Sequence, residues 1–142
     1  MGDNKRMTIA LFTGSVDKLT AAGIIISGAV AQDIDVDVFV LLHGARAFLK
    51  DKARKTDELD MAENRELREE FLASLERVKV KPWLEFFEEA RELASVKVYI
   101  CGLAGKVWGG EKKDDFVGIV DDIVGIGECV SSMEEAEISL FI

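Results

Sequence analysis

Apolar residues along this chain fall into two alternating kinds of block. Short unbroken or strictly alternating runs read as strands, and longer stretches with a helical repeat read as helices. Met7-Thr8-Ile9-Ala10-Leu11-Phe12 is apolar without helical period and predicts a first strand. Thr13-Gly14-Ser15 breaks it, with Thr13 or Ser15 placed to cap a helix over residues 16–31. That helix is apolar on nearly every face, so it must be buried on more than one side. Acid and apolar residues alternate from Asp33 to Val38, then Phe39-Val40-Leu41-Leu42 continues a second strand that His43-Gly44 ends. The alternating acids resemble protection of an edge strand. A short helical turn over 45–50 follows. Residues 51–62 form one long irregular stretch, read as a flexible loop.

From 63 to 78, Leu67, Phe71, Leu75 and Val78 share one face opposite Glu and Arg, an amphipathic helix. Lys79-Val80-Lys81 interrupts it, and Pro82 then opens another helix, where a missing N–H costs nothing. Trp83, Phe86, Phe87, Ala90 and Leu93 stripe that helix as core or subunit contact. Val96-Lys97-Val98-Tyr99-Ile100-Cys101 predicts a third strand. Asp114 or Asp115 is expected to cap a short helix through Val120. Residues 122–126 read as a fourth strand, Cys129 as opening a helical turn capped by Ser131 or Ser132, and 138–142 as a fifth strand.

Strands alternating with helices mean βαβ units and an α/β fold: a three-layer α/β/α sandwich with a five-stranded, mostly parallel sheet, flavodoxin-like. The default strand order is 2-1-3-4-5, with a switch point between the first and third strands. The 142 residues suggest one domain, with no internal repeat or linker. The formal net charge of −9 argues against a nucleic-acid surface and against an acidic membrane face. No apolar run reaches transmembrane length, and the polar start leads straight into a strand, so a cytoplasmic location is expected. Asn and Gln are scarce while Glu and Lys are plentiful, as in many thermophile proteins.

Cys101, followed by Gly102, stands at the carboxyl end of its strand, where open α/β sheets collect ligands and chemistry. A thiol there can be partly exposed and can face the positive end of the next helix, and both conditions favour a thiolate. The competing reading is a packed cysteine acting as a small hydrophobe. The expected order gathers Thr13, Ser15, His43, Cys101, Glu128 and Cys129 on one rim. Cys129 reads mainly as structural, with a resolving role open if it reaches Cys101. His43, the only histidine, can exchange protons near neutral pH or simply face solvent. Thr13-Gly14-Ser15 is an anion cradle or an ordinary cap. Lys106 near the cysteine could attract an anion. One His and two Cys fall short of a zinc set, so no metal is expected.

Several elements in order resemble a known family: Phe12-Thr13-Gly14-Ser15-Val16-Asp17-Lys18 before an apolar helix, the strand ending at His43-Gly44, the Pro82-Trp83 helix leading to the Cys101 strand, Asp121-Asp122-Ile123-Val124-Gly125, and Leu140-Phe141-Ile142. Over nearly the whole chain this is similar to the DsrE/DsrF-like family, in its DsrE-type branch. The resemblance implies a flavodoxin-like fold assembled as trimers or hexamers. It also implies a sulfur relay, in which a strand-end cysteine takes up sulfane sulfur as a persulfide and passes it to a partner, often a TusA-like protein. Cys101 occupies that position, and no cofactor is implied. Where the family often carries Ser/Thr and Met-rich residues after the cysteine, this chain has Gly102-Leu103-Ala104-Gly105-Lys106. Two other function classes stay open: a structural or regulatory subunit with an incidental cysteine, and a small anion- or nucleotide-binding module.

Overall fold

A computed structural model describes residues 4–142. Five strands, β1 (Arg6–Leu11), β2 (Asp35–Val40), β3 (Val96–Cys101), β4 (Asp122–Val124) and β5 (Ile138–Phe141), form one sheet in which every pairing is parallel. The helices are α1 (Val16–Ala31), α2 (Leu42–Ala47), α3 (Arg68–Arg77), α4 (Trp83–Leu93), α5 (Gly102–Val107) and α6 (Ile126–Glu135). The three-layer α/β/α sandwich is therefore present.

Alternation along the strands separates two unequal faces. Ile9, Leu11, Val36, Val38, Val40, Val96, Val98 and Ile100 point to one core, which α1, α2, α4 and α5 cover. Phe48, Trp83 and Phe87 meet there edge to face, with ring centroids 5.0–5.7 Å apart. Thus Trp83 and Phe87 belong to the core. Helix α1 reaches α4 through Gly23, where a Cβ would fall 2.7 Å from Phe86 Cβ. On the other face Ala10, Phe39, Tyr99 and Val124 pack under Cys129 and Met133 of α6. One ten-residue helix covers that face.

The strand order is β4-β3-β2-β1-β5, so the expected 2-1-3-4-5 order is overturned. The chain steps outward from β1 through β2 and β3 to β4, with its crossovers on one face. It then returns to β5 beside β1, across the opposite face by way of α6. Reversing direction with right-handed crossovers demands that change of face. The acids of β2 misled the reading, because β2 is central and lies between β1 and β3. Asp37 is accommodated by Arg6 at 2.8 Å and by the Ser132 hydroxyl, which donates at 2.9 Å. The real edges, β4 and β5, are protected by being only three and four residues long.

Three local expectations also change. Residues 51–62 are not a loose loop: Ala53, Leu59 and Met61 are buried, Val16 N–H donates to the Asp60 carbonyl (2.8 Å), and Arg68 donates to the Leu59 carbonyl (2.7 Å). Residues 116–120 are not helical. Phe116 bridges to Leu49 instead, and Asp115 accepts from the Glu111 and Lys112 N–H groups. Helix α6 starts at Ile126 with Gly125 as its cap, so Cys129 lies inside the helix. Ser132 does not cap it but bonds to Thr8 (2.6 Å) and Asp37.

Candidate functional site

Two cavities open at the carboxyl rim of the sheet. The first lies outside the ends of β3 and β4. Strand β3 leads into α5 on the α1 side, and β4 leads into α6 on the other. Neighbouring strands whose connections depart to opposite faces leave a crevice between them, the usual ligand position in open α/β sheets. The corrected order therefore moves the switch point from β1/β3 to β3/β4, and Cys101 still stands on it. Its cavity is about 430 Å³ and almost wholly apolar, with Cys101 and Gly102 beside Leu41, Leu103, Ile123 and Ile126. Cys101 is half-buried and is the residue from which α5 starts. At Gly102 a Cβ would meet Ile123 Cγ2 and the Val124 carbonyl at 3.7 Å, so the cleft has room there. Lys106 is exposed in the last turn of α5 and does not line the cleft.

Cys129 is buried under α6, 3% exposed. Burial pushes its thiol up, and neighbouring Cys101 adds to the shift. The two thiols thus sense each other, but Cys129 is held protonated and shut away from solvent. Glu128 faces elsewhere, lining a polar hollow with Arg6, Asp37 and Tyr99.

The second cavity, about 570 Å³, lies at the ends of β1 and β2. It receives Thr13, Gly14 and Ser15 from the β1–α1 loop and His43 and Arg46 from α2. The expected single rim therefore splits, and strand order is the reason. The end of β2 stands between the Thr13-Gly14-Ser15 loop and Cys101, and only Leu42 lines both cavities. His43 sits with the loop and not with the cysteine. Gly14 is required by close approach, since a Cβ would fall 2.3 Å from the His43 carbonyl oxygen. Ser15 caps α1 by position, with no side-chain capping bond.

Arg46, Arg65 and Trp108 complete this cavity and were not anticipated. Arg46 falls one helical turn after His43, a spacing visible in the sequence. Trp108 could not be foreseen, because its place depends on α2 packing against α5. Its indole N–H donates to the Leu42 carbonyl at 2.8 Å, and the ring lies 5.4 Å from His43 and 5.9 Å from the Arg46 guanidinium.

Among the described residues no group of three or more His, Cys, Asp and Glu is arranged to hold a metal ion, and no helix is long and apolar enough to cross a membrane. No protein-family model matches the chain, and no curated protein matches it at a significant level.

Proposed function

We propose that the protein is a sulfur carrier of the DsrE/DsrF-like kind, holding sulfane sulfur as a persulfide on Cys101 and passing it to a partner thiol. The observation that carries this reading is the address of Cys101: a half-buried thiol in an apolar cleft at the switch point between β3 and β4. The Cys101 thiolate attacks the sulfane sulfur of a polysulfide or thiosulfate-type donor. The donor's sulfur–sulfur bond breaks, the donor leaves as a thiolate or sulfite, and Cys101 carries the terminal sulfur. An acceptor thiolate then attacks that outer sulfur and releases the Cys101 thiolate. Sulfur exchange of this kind balances without a cofactor.

The natural acceptor is a TusA-like or other small sulfur-carrier protein, and the setting is a reducing one such as the cytoplasm. Ile126 and Val130, one turn apart on α6, are exposed, as is Phe141 on β5. Those apolar side chains support assembly as a homo-oligomer, in trimers or hexamers. His43 has no part in the cysteine's chemistry on this reading, because it lines the other cavity. The test is intact mass after exposing the reduced protein to thiosulfate or polysulfide. Wild type gains the mass of one or more sulfur atoms and Cys101→Ala does not. No gain on wild type, or an equal gain on the variant, overturns the proposal.

A further inference from the structure

We infer that the second cavity is a binding site for a phosphorylated, hydroxyl-bearing small molecule, independent of the chemistry at Cys101. Its volume, about 570 Å³, is in the range that holds a small organic ligand. Hydrogen-bond donors converge on it from three separate segments. Ser15, nine-tenths buried, makes no hydrogen bond of full geometry and lies near the Asp17 carboxylate, while the Thr13 hydroxyl is buried and unpartnered. A buried hydroxyl left unpaired costs stability unless something fills its place. From α2 comes Arg46, half-buried and held beside the Trp108 ring at 5.9 Å, making no ion pair among the described residues. From the segment before α3 comes Arg65, likewise without an ion pair among them.

Donors arriving from several directions suit a tetrahedral oxyanion with three terminal oxygens better than a planar carboxylate. A guanidinium fixed against an indole can take two of those oxygens at once. The amino end of the sixteen-residue α1 adds its partial positive charge. Asp17, the acid that would oppose an anion there, is committed elsewhere: it accepts the N–H groups of Ala62 (2.9 Å) and Lys18 (3.0 Å). Two other acids, Glu58 and Asp60, do line the cavity, and both are exposed. They oppose a bare multivalent anion and favour a ligand that also brings hydroxyls to donate to them. A phosphate ester of a sugar or nucleoside meets all of these demands.

Thermal denaturation of the full chain, titrated with ribose 5-phosphate, adenosine 5′-monophosphate, ribose, adenosine and inorganic phosphate, tests the inference. The two esters should raise the melting temperature saturably and the unphosphorylated compounds should not. Tighter binding of the adenosine ester assigns a nucleotide, and equal binding assigns the sugar phosphate. Arg46→Gln should weaken the apparent affinity at least about tenfold and Arg65→Gln less, while Cys101→Ser leaves it unchanged. The melting temperature of each variant without ligand shows that it folds. The inference is overturned if neither ester shifts the melt, if Arg46→Gln responds like wild type, or if inorganic phosphate binds as tightly as the esters.

Discussion

The two cavities on the carboxyl rim share Leu42 but differ in nearly everything else. One is an apolar cleft with a single thiol between β3 and β4, and the other is a mixed hollow between the β1 loop and α2, where charged and hydroxyl groups stand among apolar ones. The difference follows from the sheet order. Where the crossovers of neighbouring strands part to opposite faces, the strand ends are left bare and their apolar residues wall a cleft. Where β1 and β2 both send their helices to the same face, the loops crowd together instead. The Thr13-Gly14-Ser15 segment and the first turns of α2 then become the walls. A single fold has thus produced one cleft with a thiol in apolar walls and one hollow where arginines, hydroxyls and carboxylates meet.

The contrast is tested most severely by thiol reactivity. Iodoacetamide should modify Cys101 in the folded protein, while Cys129 reacts only after α6 lifts from the sheet. The expected difference in rate is at least about a hundredfold, because attack on a buried thiol waits for local opening. Peptide mapping after short exposure reads it directly. Equal labelling of the two cysteines would mean that α6 does not seal the second face, and the two thiols would then have to be treated as one site.

The glycines sharpen the comparison further. Gly14 lies in the loop three residues past β1 and Gly102 opens α5 directly after β3, and a Cβ at Gly14 would fall 2.3 Å from a backbone oxygen while one at Gly102 finds ordinary contact at 3.7 Å. Gly14→Ala should therefore cost about 1–3 kcal/mol through overpacking against backbone that cannot step aside. Gly102→Ala should fall within about 1 kcal/mol of wild type, since alanine suits a helix's first turn better than glycine. Urea denaturation of both variants measures the pair. A tolerant Gly14 would show that the β1 loop is not held against His43.

The layers, the parallel sheet and the strand-end position of Cys101 were legible because they follow from local pattern: apolar runs, helical repeat and the residue that ends a run. Strand order was not legible, because it depends on which faces the crossovers choose. The alternating acids of β2 pointed the wrong way, since Asp37 looked solvated and is instead held by Arg6 and Ser132, residues far from it in sequence. With the default strand order, that placed the Thr13-Gly14-Ser15 loop beside Cys101 and His43 on the far side of β1. The loop at 51–62 was misread for a related reason: its charges are local, but Leu59 and Met61 find their burial against distant elements.

Asp17 offers a smaller effect on the polar side. Burial pushes its carboxyl up, but the N–H groups of Ala62 and Lys18, helped by the nearby Ser15 hydroxyl, outweigh that and hold it below its ordinary value. A carboxyl lowered in the folded state contributes stability that is present above its unfolded pKa and is lost as pH falls through the folded one. Asp17→Asn should cost about 1 kcal/mol at neutral pH, a charged hydrogen bond discounted for partial exposure, and the cost should vanish in acid below pH 3.8. Urea midpoints for the pair across the acid range check both halves. A pH-independent difference would mean that the carboxylate charge does not hold the 59–62 segment over the polar cavity.

The smallest effect belongs to Cys129 and has the opposite sign. Its thiol is raised by burial and by Cys101, so the folded protein holds that proton more tightly than the unfolded chain does. The stability this brings is complete below the unfolded pKa and drains away as pH rises through the folded one. One such group can contribute a slope of at most about 1.4 kcal/mol per pH unit. Tyr99 is raised as well, chiefly by burial, so wild type alone cannot isolate the thiol. The difference between wild type and Cys129→Ala can, because the tyrosine is common to both. Wild type should lose stability relative to the variant as pH rises above 9.0, read from urea midpoints at a series of alkaline pH values. Parallel curves would mean that Cys129 titrates alike in the folded and unfolded chain. The burial of Cys129 under α6 would then not hold, and the contrast between a sealed thiol and an open one would fail.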